Sequence, residues 1–329
     1  MLKIATIGTN FIVDAFLSAV AANEGIECCA MYTRKREHAQ PLADKFHVPA
    51  IYTDLDEMLS EPSIDIVYIA SPNSLHYVYA KQILNKGKHV ICEKPFTSNK
   101  AQCEELFALA REKKRFLFEA IKTVHTANFN KIRELLPKLG DIKLVQSNFS
   151  QYSSRYDAYV NGEEPNIFNP AFSGGAIADI GIYCLHFIVA LFGLPLEGRY
   201  EPNLGPNGID TSGSGILKYP DFVASFSCAK DSTSECITQI QGTKGAISVH
   251  SQPSNCAQFT YHDRLNKTSE DLSLPVHKAT LYEEVRDFVR IIQEDDVAEY
   301  ERLRAETCQV MEVFEQLRKG AGIRYGDDC

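Results

Sequence analysis

The sequence predicts an α/β protein in two parts: an N-terminal doubly wound parallel sheet, then a C-terminal α+β domain with a large, mostly antiparallel open sheet. Three observations carry that prediction. Apolar strand-like runs alternate with helical runs over the first third of the chain. The later part instead shows strand-like runs separated by tight-turn sequences. The length, 329 residues, is large for one hydrophobic core and suits two domains of ordinary size.

The first part reads in order. "LKIATIG" is a strand stopped at Gly8, and "FIVDAFLSAVAAN" carries apolar residues at helical spacing. "GIECCAMYT" is a second strand, followed by the helix "KREHAQPLADKF", in which Pro41 marks an irregularity. "IDIVYIASP" is a β-branched strand stopped by Pro72, and "LHYVYAKQILNKG" a helix closed by Gly87. "HVICEKP", "NKAQCEELFALAREKK" and "RFLFEA" complete the alternation as strand, helix and strand. Near-continuous apolar strands of this kind belong to a parallel sheet covered on both faces.

Beyond this point the pattern changes, and the boundary is placed between residues 121 and 122, giving domains 1–121 and 122–329. "NFNKIRELLPKLG" is a helix ended by Gly140, and "DIKLVQSNFSQYSS" opens a strand region. The loop "SGGAIADIG" leads into the apolar helix "IYCLHFIVALFG". A meander follows in "GSGILKYPDFVASFSCAK", "SECITQIQGTKGAISVHS" and "CAQFTYHD", with "YPDF" and "GTKG" as tight turns. "TLYEEVRDFVRIIQED" and "EYERLRAETCQVMEVFEQLRKG" are closing helices, and packing of the last one back onto the first domain is left open.

Composition narrows the function classes. Hydrophobic residues at 44% and charged residues at 23% are typical of a globular protein. A net charge of −9 without a basic face argues against nucleic-acid binding. The N-terminus enters a strand directly, with no leader-type run, and no apolar stretch of the roughly 18 residues needed for a membrane span is evident. A cytoplasmic location is expected. The ten cysteines, at 28, 29, 92, 103, 184, 228, 236, 256, 308 and 329, form no C-x-x-C pair and read as reduced core residues, with no metal site expected.

In a doubly wound sheet the first strand-to-helix turn receives a dinucleotide's pyrophosphate. That turn is "IGTNFIV", in which Gly8 holds the first fingerprint glycine position while Asn10 and Val13 hold the others. Asn tolerates left-handed backbone well, so Asn10 is expected to keep the turn tight, with Phe11 and Ile12 opening the helix. The second strand ends in Thr33, Arg34, Lys35 and Arg36, where an NAD site would carry an acid. Cations in a helix's first turn oppose its dipole. NADP is therefore expected as cofactor, with NAD possible.

"ASPNSLHY", "CEKPF" and "GGAIADIGIYCLH", together with the N-terminal strand–turn–helix, resemble the glucose-fructose oxidoreductase / inositol dehydrogenase (Gfo/Idh/MocA) family along essentially the whole chain. The resemblance implies an N-terminal Rossmann domain that binds the dinucleotide and a C-terminal domain for substrate binding and dimerisation. It also implies that Ser71, Pro72, Asn73 and His76 pass beside the nicotinamide and its ribose. Glu93 and Lys94 match the E-K-P pair, whose lysine reaches the reacting oxygen; Pro95 matches a proline that often follows a cis bond. Asp179 matches the acid of the D-x-G-x-H pattern. Tyr183 stands where inositol-dehydrogenase-like members carry a histidine, a similarity to the glucose-fructose oxidoreductase, dimeric dihydrodiol dehydrogenase and NADP-xylose dehydrogenase branch, as is "FEAIKT".

Asp179, Tyr183 and His186 are spaced i, i+4, i+7 and share a face if the helix starts near Asp179. A phenol titrates near a pKa of about 10, and a neighbouring ammonium lowers that by stabilising phenolate. Hence Tyr183 is expected as acid/base, Lys94 as its partner on the substrate oxygen, and Asp179 on a neighbouring hydroxyl or on Lys94. Lys122, Tyr156 and His186 are possible substrate contacts, as are Arg155 and Tyr159. The expected activity is NAD(P)-dependent hydride transfer at a hydroxyl-bearing carbon of a sugar or vicinal diol, in a homodimer. The alternatives are a non-catalytic nucleotide-binding regulator of sugar metabolism, or a glycosidase or lyase using tightly bound NAD(P).

Overall fold

The computed structural model describes residues 1–328; Cys329, one of the cysteines read above, lies outside the described residues. The chain divides into two compact units: Met1–Thr97, Ala101–Ala120 and His277–Ala305 form the first, and Ser98–Lys100, Ile121–Val276 and the chain from Glu306 form the second.

The first unit contains β1 (Leu2–Ile7), α1 (Phe11–Ala22), β2 (Ile26–Tyr32), α2 (Arg36–Phe46), β3 (Ala50–Tyr52), α3 (Leu55–Ser60), β4 (Ile66–Ile69), α4 (His76–Asn85), β5 (His89–Glu93), most of α5 (Lys100–Lys113) and β6 (Leu117–Ala120). Among the described residues its sheet has six strands in the order β3-β2-β1-β4-β5-β6, all paired in parallel. The order reverses between β1 and β4, which makes their carboxyl ends the switch point where doubly wound sheets take ligands. β4 and β6 are buried at every residue, the physical cause of their uninterrupted apolar runs. α1 buries Val13, Phe16, Leu17 and Val20, one stripe at helical spacing, and Phe16 stacks on Tyr68 with centroids 3.7 Å apart. α2 continues through Pro41, the sixth of its eleven residues, at the cost of the one ladder bond that the proline nitrogen cannot donate.

The second unit contains α6 (Ala127–Leu135), β7 (Ile142–Ser150), α7 (Tyr156–Val160), α8 (Ile182–Phe192), β8 (Glu197–Leu204), β9 (Asp210–Lys218), β10 (Val223–Ala229), β11 (Thr238–Gly242), β12 (Gly245–Val249), β13 (Phe259–Asp263) and β14 (Thr268–Asp271). Among the described residues its sheet has eight strands, β14-β13-β12-β11-β7-β10-β9-β8, antiparallel throughout except for β7 beside β10. The "YPDF" turn closes β9 onto β10, with the Tyr219 amide donating to the Phe222 carbonyl at 3.0 Å.

The chain then returns to the first unit with α9 (Tyr282–Glu294) and the start of α10 (Val297–Gly320). Phe288 stacks on Phe118 at 4.6 Å, and Tyr300 meets Phe116 edge-on at 5.0 Å. No strand–helix alternation marks this return, so the sequence alone assigns it to the second part of the chain.

Two expectations change here. Pro170–Phe192 is long and apolar enough to cross a membrane, contrary to the reading of the sequence, but 72% of its most apolar window is buried inside the protein, the state of a core helix. Cys92, Cys103, Cys184, Cys228 and Cys256 are buried as expected, whereas Cys28, Cys29, Cys236 and Cys308 are only partly so.

Candidate active site

At the carboxyl end of β1, Gly8 takes φ of +113°, and a Cβ there would come within 2.6 Å of the Ala70 carbonyl oxygen. Only glycine permits this close approach of β1 to the end of β4. Asn10 does not adopt the left-handed backbone expected of it: its φ is −85°. It acts instead as the N-cap of α1, its Oδ1 accepting from the amides of Ile12 and Val13 at 3.2 and 3.3 Å, while its Nδ2 donates to the Ala70 carbonyl at 3.3 Å. Phe11 is exposed beside it. At the end of β2, Thr33 is buried whereas Arg34, Lys35 and Arg36 are exposed, and no acidic residue follows until Glu37.

The loops after β4 and β5 are stitched together by His76. Its imidazole is fully buried, with Nδ1 2.9 Å from the Pro95 carbonyl and Nε2 3.1 Å from the Ser71 carbonyl. Burial, with the Lys94 charge adding to it, holds its pKa below the ordinary histidine range despite those carbonyls. His76 therefore fixes the Ser71 and Pro95 carbonyls relative to each other, with both ring nitrogens engaged inside the protein. Glu93 is likewise buried: Tyr68 donates to it at 2.6 Å and the Lys94 amide at 3.3 Å, and burial raises its pKa despite Lys94. The Lys94–Pro95 bond is cis. The Phe96 amide donates to buried Glu119 at 3.2 Å, which fixes the far side of the loop. From Val90 to Asn99, Lys94 alone is not buried. Ser71, Pro72 and Asn73 are partly exposed.

In the second unit, the segment Ile177–Gly181 forms a π-helical turn that runs into α8. Such turns are uncommon and recur at functional sites. Its start is held by Asp210, whose Oδ2 accepts from the Ile177 amide at 2.7 Å and the Tyr200 hydroxyl at 2.8 Å. Burial pushes the Asp210 carboxyl up to about 6 against those hydrogen bonds. Gly175, at φ +116°, is required because a Cβ would strike Asp210 Oδ1 at 2.2 Å. From Ser173 to Val189, only Asp179 and Tyr183 are not buried. Asp179 forms an ion pair with Lys230, which follows β10, and the Tyr183 ring lies 5.8 Å from that of Phe149.

His186 does not join the accessible pair: it is 1% exposed, inside the core of the second unit. From Cys184 to Val189 every residue of α8 is buried, His186 among them, so three residues beyond Tyr183 the helix is enclosed on all sides. Lys122 donates to the Asn255 side-chain oxygen, and Tyr156 packs edge-on against Phe168 at 5.8 Å. Arg155 is exposed, whereas Tyr159 is buried and uses its hydroxyl on Asn207 at 2.6 Å.

A family model described as an oxidoreductase family with an NAD-binding Rossmann fold matches residues 2–121, and a GFO/IDH/MocA C-terminal domain model matches residues 129–248. The chain belongs to the GFO/IDH/MocA oxidoreductase family. It is 37% identical over 331 residues to scyllo-inositol 2-dehydrogenase (NADP(+)) IolU of Bacillus subtilis, covering 100% of this chain and 99% of that one. It is 40% identical over 294 residues to the uncharacterized oxidoreductase YgjR of Escherichia coli, covering 89% of each. The structure of KijD10, a 3-ketoreductase from Actinomadura kijaniata in complex with NADP and TDP-benzene, shares the fold at a TM-score of 0.83 and 22% identity, covering 97% of both chains.

As a GFO/IDH/MocA oxidoreductase the chain is an NAD(P)-dependent dehydrogenase with a dinucleotide-binding first domain. The residues present fit such a cofactor: the tight Gly8 turn lies at the carboxyl end of the central strand and leads directly into the N-terminus of α1, the place where a doubly wound sheet takes a pyrophosphate. Sequence reasoning missed Lys230, Asp210 and Glu119. Each is a charged residue at the border of an apolar strand, and that placement is the signal by which it was open to detection.

Proposed function

We propose that the chain oxidises a hydroxyl-bearing carbon of a polyol, sugar or vicinal diol, with Tyr183 as acid/base, Lys94 on the reacting oxygen and Asp179 on a neighbouring hydroxyl. One observation carries this reading: in two otherwise buried segments, the only side chains reaching the surface are a lysine, a carboxylate and a phenol. Lys94 donates to the substrate oxygen and favours its loss of a proton. Tyr183 takes that proton at its phenolate oxygen, a form that a neighbouring positive charge would make accessible near neutral pH. The nicotinamide, when bound, supplies the hydride acceptor. IolU, which covers the whole chain, acts on an inositol with NADP, in keeping with a polyol substrate. The test is a spectrophotometric screen of the purified protein with NADP⁺ and NAD⁺ against inositols, aldoses and diols. Turnover of none of them rejects the reading, and turnover without net cofactor reduction points to the lyase or glycosidase alternative.

NADP is the expected cofactor, because Arg34 and Lys35 are exposed where an acid would meet the ribose of NAD. A charge-assisted contact to the extra phosphate should make NADP⁺ bind at least ~10-fold more tightly than NAD⁺, with Arg34→Ala removing most of the difference. Calorimetric titration of both nucleotides checks this; tighter NAD⁺ overturns it.

A homodimer through the open sheet is also proposed. Leu144 and Val223 are direct cross-strand partners on β7 and β10, Ile216 lies nearby on β9, and all three are exposed apolar residues. Leu144→Glu combined with Ile216→Glu is expected to halve the mass measured by light scattering, and an unchanged monomeric mass in the parent would exclude the assembly.

A further inference from the structure

Lys230 is the feature of the second unit that the mechanism above does not use. Its side chain is 8% exposed, at the end of an apolar strand, and its partner is the carboxylate of Asp179, itself 23% exposed. An ammonium so little hydrated is tolerated only when paired, and removing one member of a buried pair leaves the other uncompensated. The backbone around it is fixed on both sides: the Lys230 amide donates to the Thr211 carbonyl, and its carbonyl accepts from the Ser153 amide, each at 2.8 Å. Next in the chain, Asp231 accepts from the hydroxyls of Thr211 and Ser212 at 2.7 and 2.8 Å. The lysine is therefore delivered to Asp179 from a rigid strand end, not from a mobile loop.

We propose that Lys230 is a positioning residue that holds the Asp179 carboxylate aimed, so that Asp179 accepts a hydrogen bond from the hydroxyl next to the one being oxidised. The inference rests on the reading of Asp179 given above and narrows its substrate class to compounds with two neighbouring hydroxyls. Between Ser173 and Val189, Asp179 and Tyr183 are the two residues that are not buried, so the carboxylate that Lys230 holds is one of the two side chains this segment brings to the surface. A site built to bond a hydroxyl discriminates strongly against an analogue that lacks it, because the buried polar groups are then left unsatisfied. Burying the Lys230 charge beside Asp179 costs stability that a neutral pair would not, a cost that a function for the carboxylate explains.

The test compares Lys230→Met, Lys230→Arg, Asp179→Asn and the double variant Lys230→Met/Asp179→Asn, using the holoenzyme with a diol it oxidises and the corresponding monodeoxy compound. Misplacing the carboxylate should lower kcat/KM for the diol roughly 10²-fold in Lys230→Met. Turnover of the deoxy compound should stay within ~3-fold of the parent, since the contact affected is not made to it. Calorimetric affinity for the diol should fall with kcat/KM. Lys230→Arg retains the charge and should restore most of the loss, and the double variant should be no worse than Asp179→Asn, because both changes remove one interaction. If Lys230→Met unfolds, the double variant, which carries no unpaired charge, and Lys230→Arg still decide the matter. Normal diol kinetics in Lys230→Met alongside a crippled Asp179→Asn overturns the inference alone. Equal losses on diol and deoxy compound, or additive losses in the double variant, also overturn it. Parent-like kinetics in Asp179→Asn overturns the role of Asp179 and the inference with it.

Discussion

Replacing Lys94 with alanine, or Tyr183 with phenylalanine, is expected to lower kcat/KM at least ~10²-fold while leaving nucleotide affinity within a few-fold, because positioned acid–base help is typically worth about 10²–10⁴. The two changes remove different things. Lys94→Ala deletes the only side chain between Val90 and Asn99 that is not buried, and leaves the loop's own supports in place: His76 on the Pro95 carbonyl and Glu119 on the Phe96 amide. The loss should therefore fall on catalysis rather than on folding, and thermal unfolding should be close to that of the parent. Tyr183→Phe keeps the ring against Phe149 and removes only the hydroxyl. If the ammonium and the phenol act on one oxygen, the double variant loses much less than the product of the two single losses, as residues acting as a unit do. Steady-state kinetics on the three variants settles this, and near-normal turnover in either single variant removes that residue from the chemistry.

What the sequence made legible follows from how each feature is built. β4 and β6 are buried at every residue, so their runs are continuously apolar and the parallel sheet was readable. β8 and β14 went unread because they are the two edges of the eight-stranded sheet: "EGRYEPNL" is mostly polar and "TSED" wholly exposed, so neither shows a buried alternation. β3, with three residues, is too short for any periodicity. The motifs that point to Lys94, Asp179 and Tyr183 are local in the chain. The pairings that support them are not: Lys230 is 51 residues from Asp179, and Asp210 is 33 from Ile177. Asn10 shows the remaining kind of difference. Its residue type suited both a left-handed turn and a helix cap, and the approach of Gly8 to Ala70 left the cap as its role.

The longest-range support carries the second large effect. Arg318 is completely buried, and its guanidinium holds Asp328 through two bonds of 2.5 and 2.6 Å while donating to the Ser98 carbonyl at 2.8 Å and lying over the Tyr325 ring at 4.2 Å. Tyr325 in turn donates to the Gly174 carbonyl at 2.9 Å, and Ser98 and Ser173 share a hydroxyl–hydroxyl bond of 2.7 Å. The C-terminal residues thus brace both the segment that follows Lys94 in the chain and the loop that leads to Asp179. Arg318→Met leaves the Asp328 carboxylate with only the Lys319 ammonium, 3.6 Å away, as a charged partner, and should cost about 3 kcal/mol, seen as a drop of roughly 10 °C in the melting transition of the second unit. Arg318→Met/Asp328→Leu, which removes both charges, should recover much of it. The pH dependence has a definite sign. Burial alone would raise the Asp328 carboxyl, but the Arg318 hydrogen bonds and the Tyr325 amide outweigh it and hold its pKa below the ordinary range. A carboxyl depressed on folding contributes stability that is fully present above its unfolded pKa, about 4, and lost as the pH falls through its lower folded value. Parent and Asp328→Asn should therefore differ most near neutral pH and converge in acid; a difference that stays constant down to pH ~2 would show that the carboxylate's charge contributes nothing to the brace.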